Sequence, residues 1–182
     1  ESEARTIRAY AYFNLLRMFG RVPVVDTLLT SEQLASLKQA ETEELYEFIE
    51  KALDYAIEWL PASYPKSAAG RITSYTAMAI KAKAMMYKED WEEVARLTDS
   101  IIASGRYSLL PVFRMVFSMD GENSVESLFE IQSSTLGNVT GSAPYMEYAY
   151  VQGPRGNTPS NMQGWGFCTP SEDLISFFDS RG

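Results

Sequence analysis

Apolar side chains open the chain at helical spacing. In residues 4–25, ARTIRAYAYFNLLRMFGRVPVV, Ala4, Ile7, Ala11, Leu15 and Met18 recur on one side. Tyr10, Tyr12, Phe13, Leu16 and Phe19 fill much of the rest. A helix apolar on nearly every face is expected to be buried on nearly every face, so it needs helices around it. Gly20 suits the left-handed position after a helix end, and Pro23 keeps the chain extended beyond it. The next pattern begins near Thr42. Leu45, Phe48, Ile49, Ala52, Leu53, Ala56 and Leu60 form an amphipathic stripe, Thr42 is the expected cap, and Pro61 ends the run. Between these two helices, Thr30-Ser31-Glu32 fits the start of a short helix near Leu34 and Leu37.

Residues 62–70 read as a loop. A third long helix is predicted from about Thr73 to Tyr87, with Ala77, Ile80, Ala84 and Tyr87 on one face. A fourth runs from Trp91 to about Ala103, with Trp91, Val94, Ala95, Thr98, Ile101 and Ile102 facing inward, Asp90 as cap and Gly105 as stop. Two long helices followed by two more across a short polar turn suggest stacked antiparallel hairpins. The second pair is close to the roughly 34-residue size of a tetratricopeptide unit, without its full consensus. Beyond Gly105 the pattern loosens. Residues 127–132, SLFEIQ, alternate like a short strand, and residues 133–170 lose periodicity altogether while carrying Pro144, Pro154, Pro159, Pro170 and many aromatics. Ser171-Glu172-Asp173 caps a last helix through Phe178. The expected architecture is mainly α. Tetratricopeptide-like hairpins span 1–110, and a loop-rich segment with one or two short strands and a final helix spans 111–182, within the same incomplete domain.

Composition narrows the function. At 182 residues and 46% hydrophobic, the chain can build one sizeable core. A net charge of −8, from 16 basic and 24 acidic residues, disfavours a nucleic-acid partner. The absence of histidine removes the usual general base and most zinc sites, and a single cysteine, Cys168, allows no intrachain disulfide. No cofactor or metal is expected. The chain opens almost inside a helix and closes directly after one, which reads as a piece of a longer polypeptide.

Five segments, in order, resemble the SusD/RagB family. The opening helix resembles its signature at Ala4, Arg5, Arg8, Ala9, Tyr12, Phe13, Leu15, Arg17, Gly20, Val22 and Pro23. Residues 44–61, residues 70–87 beginning Gly70-Arg71, residues 91–117 and the 124–132 SVESLFEIQ segment resemble the stretches that follow it. The resemblance covers about residues 4–132. It implies an α-helical, tetratricopeptide-like scaffold with a loop-rich part bearing the ligand site. It also implies a lipoprotein on the outer face of the outer membrane, binding oligosaccharides or, in some branches, peptides. The implied partner is a SusC-like, TonB-dependent transporter, contact with the membrane is through an upstream lipid anchor, and no catalysis is implied.

Sugar rings need flat apolar surfaces, and their hydroxyls need directional polar groups. The 144–167 stretch offers both. Trp165, between Gly164 and Gly166, is the first choice as a stacking platform, with Tyr145, Tyr148 and Tyr150 behind it. Gln152, Arg155, Asn157, Asn161 and Gln163 are the expected hydroxyl partners. The competing reading is that these aromatics pin the loop to the body. A protein- or peptide-interaction module without glycan binding is the alternative function. A glycosidase would need a carboxylate pair, but Glu126 with Glu130 and Glu172 with Asp173 read as solvated charge or helix caps. No catalytic residue is assigned.

Overall fold

The computed structural model describes residues 1–132, 164–167 and 169–181, and the chain divides into two compact units, Glu1–Ile131 and Gln132–Gly182. The first unit is helical. Helix α1 (Ser2–Phe19) is followed by a short α2 (Ser31–Ala35), then α3 (Thr42–Trp59), α4 (Ser74–Lys88) and α5 (Trp91–Ala103). Helix α1 packs on α3, α3 on α4 and α4 on α5, so the hairpins stack in chain order. The chain is mainly α and tetratricopeptide-like, as its periodicity predicts. Residues 113–117 and 119–121 form two 3-10 turns. In the second unit, α6 (Glu172–Asp179) starts where Ser171 Oγ accepts the Leu174 N–H at 3.3 Å.

One apolar cluster holds α1, α3 and α4 together. Ala9, Phe13 and Leu16 meet Leu45, Ile49, Leu53 and Ala56, and Ile72, Ala77, Ala84 and Met85 close the far side. Phe13 sets its ring edge-to-face against Tyr87 with centroids 5.3 Å apart. Tyr12 fixes the exit of α1. Its hydroxyl accepts the Val25 N–H at 2.8 Å and faces the Val25 carbonyl at 3.2 Å. Gly20, at φ +70°, turns the chain out of the helix.

Charge also ties the helices. The Lys81 ammonium on α4 is buried, bridging Asp54 on α3 at 2.6 Å and Glu93 on α5 at 2.9 Å. Lys88 spans from α4 to Glu50 at 2.8 Å and Glu43 at 3.1 Å on α3, which raises its pKa. These bridges help to fix the register of α3, α4 and α5, since a buried ammonium must keep its carboxylates.

Four expectations need correction. Helix α1 is not buried all round. Its buried side is Thr6, Ala9, Phe13 and Leu16, while Ala4, Ile7, Ala11, Leu15 and Met18 form an exposed stripe. The reason is that α3 is its main neighbour, so one face suffices. In α5 the inward residues are Leu97 and Ile101, with Val94 and Thr98 half-buried; Trp91, Ala95 and Ile102 face solvent because α4 covers only one side. Glu41 rather than Thr42 caps α3, its N–H held by Glu44 Oε2 at 2.8 Å. Finally, 127–132 form no strand, and there is none among the described residues. The Leu128 carbonyl is taken by Thr76 Oγ1 at 2.8 Å and the Glu130 carboxylate accepts the Asn123 N–H, so among the described residues side chains rather than a backbone ladder hold this segment.

Candidate functional site

In the second unit, Gly164–Phe167 presents two large rings. Trp165 is 57% exposed and Phe167 is 50% exposed, their centroids 6.2 Å apart and their planes 38° from parallel. Gly166 between them sits at φ +62°, a conformation that a side chain would strain, and it keeps both rings beside one another. Two tilted aromatic faces of this size suit the apolar side of a sugar ring. Of the nine ligand residues chosen from sequence, Trp165 alone lies among the described residues. Tyr145, Tyr148, Tyr150, Gln152, Arg155, Asn161 and Gln163 lie outside the described residues, as does Asn157.

The first unit carries a cleft of about 570 Å³ that sequence reasoning missed. One wall is the 62–73 connection between α3 and α4; the other is the 106–130 segment after α5. Arg71 is locked in the first wall. Its Nε and Nη2 donate to the Glu3 carboxylate at 3.1 and 2.9 Å, and its guanidinium lies 4.6 Å from the centre of the Tyr64 ring. The Arg71 hydrogen bonds hold the Glu3 carboxyl below its ordinary range. On the second wall, Tyr107 is braced edge-to-face by Tyr75 at 5.7 Å. Glu126 Oε2 accepts the Leu110 N–H at 2.7 Å. Both Glu130 oxygens accept the Asn123 N–H, at 3.1 and 3.0 Å, and the Ser127 hydroxyl also bonds to Glu130. These two carboxylates therefore hold loop backbone, which is a positioning task and not acid–base chemistry. The signal for the cleft was present in Tyr64-Pro65-Lys66 and Arg106-Tyr107, two aromatic–cation pairs in loops. Nothing in their linear spacing says that they meet.

Residues 1–86 match the family model described as SusD-like, starch-binding and associating with the outer membrane. A SusD-like protein of Formosa agariphila is 28% identical over 99% of this chain and 36% of its own length. Over residues 1–86 the chain is SusD-like. A second SusD-like protein, from Bacteroides ovatus, is 29% identical over 75% of the chain and 26% of its own length. The chain thus spans roughly a quarter to a third of the length of the curated relatives it matches. Among solved structures, it is similar to surface glycan-binding protein A of Bacteroides thetaiotaomicron in complex with laminarihexaose. That match has 25% identity and a TM-score of 0.79, and covers 97% of this chain and 39% of the other. The SusD-like fold is also that of a laminarin-binding SusD-like protein, with a TM-score of 0.85 at 23% identity over 98% of this chain and 43% of the other.

Proposed function

We propose that this chain belongs to a surface protein that captures oligosaccharides and passes them to a TonB-dependent transporter, without turning them over. The observation that carries the reading is its likeness, over almost its whole length, to a glycan-binding protein solved with laminarihexaose. The half-exposed Trp165–Phe167 pair supports it, because it offers flat apolar surface of the kind a sugar ring stacks on. In this reading the 1–110 hairpins are the scaffold and the 111–182 segment carries the ligand, with Trp165 as platform. Tyr145, Tyr148 and Tyr150 add further ring contacts, and Gln152, Arg155, Asn161 and Gln163 meet hydroxyls. The protein sits on the outward face of the outer membrane, held by a lipid anchor. Titration with a panel of neutral oligosaccharides that includes laminarihexaose tests this. Saturable binding without product release is the expected result, and no binding across the panel, or hydrolysis of a bound glycan, would sink it.

A second reading concerns the scaffold. The exposed α1 stripe, with Ile7 60% and Met18 71% exposed, favours a protein contact by the hairpins. A charge placed there, Ile7→Asp with Met18→Asp, is expected to abolish capture of the transporter while glycan affinity stays unchanged. Loss of glycan binding with transporter capture intact would reverse the assignment.

A further inference from the structure

The cleft between the 62–73 connection and the 106–130 segment has no part in the function proposed above, which reads the ligand around Trp165. We infer that it is a second saccharide subsite that takes an acidic sugar unit, one bearing a carboxylate or a sulfate. Its volume, about 570 Å³, lies inside the range of roughly 300–1,000 Å³ common to small-molecule sites. Its lining is formally positive by one, three cations against two carboxylates, where the chain is negative. Lys66, Arg71 and Arg106 line it, in a protein with a formal charge of −8. Arg71 is committed to Glu3 and Tyr64. Among the described residues, however, neither Lys66 nor Arg106 has an acidic partner, although acidic residues outnumber basic ones by 24 to 16.

Two carboxylates, Glu122 and Glu130, line the cleft with these cations. Glu130 is turned onto the Asn123 N–H and the Ser127 hydroxyl, and Glu122 is exposed. Helix α4 adds to the positive side, since its capping residue Thr73 lines the cleft and a 15-residue helix presents its positive end there. Tyr64 and Tyr107, both half-buried and braced, give the site ring surface. Cations beside braced aromatics match a ligand with an anionic group on a sugar ring better than a neutral chain. The sugar part of the inference rests on the glycan reading above; the acidic part rests on the charges of the cleft.

The test titrates the purified protein with tetragalacturonate, a sulfated tetrasaccharide, laminarihexaose and inorganic sulfate. At least one acidic oligosaccharide is expected to bind, severalfold more weakly as salt rises from about 50 to 500 mM. Lys66→Ala with Arg106→Ala is expected to weaken that binding by about tenfold or more. Lys66→Arg keeps it, and Trp165→Ala leaves it unchanged. Lys66 and Arg106 are exposed, so the double variant is expected to fold, with an unaltered melting curve and an unaltered affinity for laminarihexaose. The inference is overturned if neither acidic probe binds, or if the double variant binds it as tightly as the parent protein. It is also overturned if inorganic sulfate binds as tightly as the oligosaccharide, which would make this a simple anion site. Acidic-sugar binding that depends on Lys66 and Arg106, with no neutral glycan bound at all, would uphold the cleft and refute the neutral-glycan role of Trp165.

Discussion

Replacing Lys81 by methionine removes the charge that joins three helices and keeps most of the side-chain volume. The Lys81 side chain is 6% exposed, and its partners differ sharply: Asp54 is 55% exposed and Glu93 is 20% exposed. Asp54 can return to water, so its share is small, about 0–1 kcal/mol. Glu93 cannot do so fully. The Arg96 hydrogen bonds first, and then that from Lys81, hold its carboxyl at about 2 against an ordinary 4.5. A depression of that size corresponds to roughly 3 kcal/mol of stability at neutral pH. Arg96 supplies the larger part, so Lys81 accounts for about 1 kcal/mol of it. Relief from burying an ammonium offsets some of the loss. Lys81→Met is therefore expected to cost about 1–2 kcal/mol at pH 7, and Lys81→Ala more, through the void it leaves. The sign of the pH dependence follows. A carboxyl with a lowered folded value contributes fully above its unfolded value and loses that contribution as pH falls through the folded one. The gap between Lys81→Met and the parent should thus narrow as pH drops from about 5 toward 2. Urea denaturation at pH 7, 5 and 3 measures this. A gap that is absent at pH 7, or that widens on acidification, would refute the reasoning.

Other substitutions test the rest of the scaffold. Phe13→Ala empties a site that is 1% exposed and loses the Tyr87 ring contact, so a cost of about 3–5 kcal/mol is expected by urea denaturation; under about 1.5 would mean that α1 is not held through this ring. Gly105→Ala meets no atom within 4 Å but sits at φ +64°, so backbone strain alone should cost about 1 kcal/mol. Gly121→Ala differs in kind. A Cβ there would clash with the Met115 carbonyl oxygen, so the two 3-10 turns must move apart. Faster proteolysis within 113–123, with α1–α5 still folded by circular dichroism, is the expected result, and an unchanged cleavage pattern would contradict it.

Much of the scaffold was legible because periodicity and capping act locally. The α3 stripe from Leu45 to Leu60 is buried except for the half-covered Phe48, and Thr30, Asp90 and Ser171 cap where their side chains allow. What failed was the choice of face. In α1, apolar residues occur all round, so spacing alone cannot say whether Ile7 or Ala9 meets α3; only the packing of the second helix decides. Trp91 and Ile102 misled for the same reason. The strand expected at 127–132 had the right alternation, but a strand is a property of two segments, and no second one lies beside it among the described residues. Trp165 was legible as an exposed ring because its glycine neighbours announced it. The cleft was not, because Tyr64 and Tyr107 are brought together only by the stacking of α3, α4 and α5.

The central claim is that Trp165 meets the ligand, and the indole itself can report it. The chain has three tryptophans, and Trp59 and Trp91 are 63% and 60% exposed on the helical unit, where phenylalanine should be tolerated. A Trp59→Phe, Trp91→Phe protein therefore emits from Trp165 alone. Titrating it with laminarihexaose and the other neutral oligosaccharides, the account predicts for at least one of them a saturable change in emission whose midpoint matches the calorimetric Kd. Calorimetric binding of a neutral glycan with no change in that emission would contradict it.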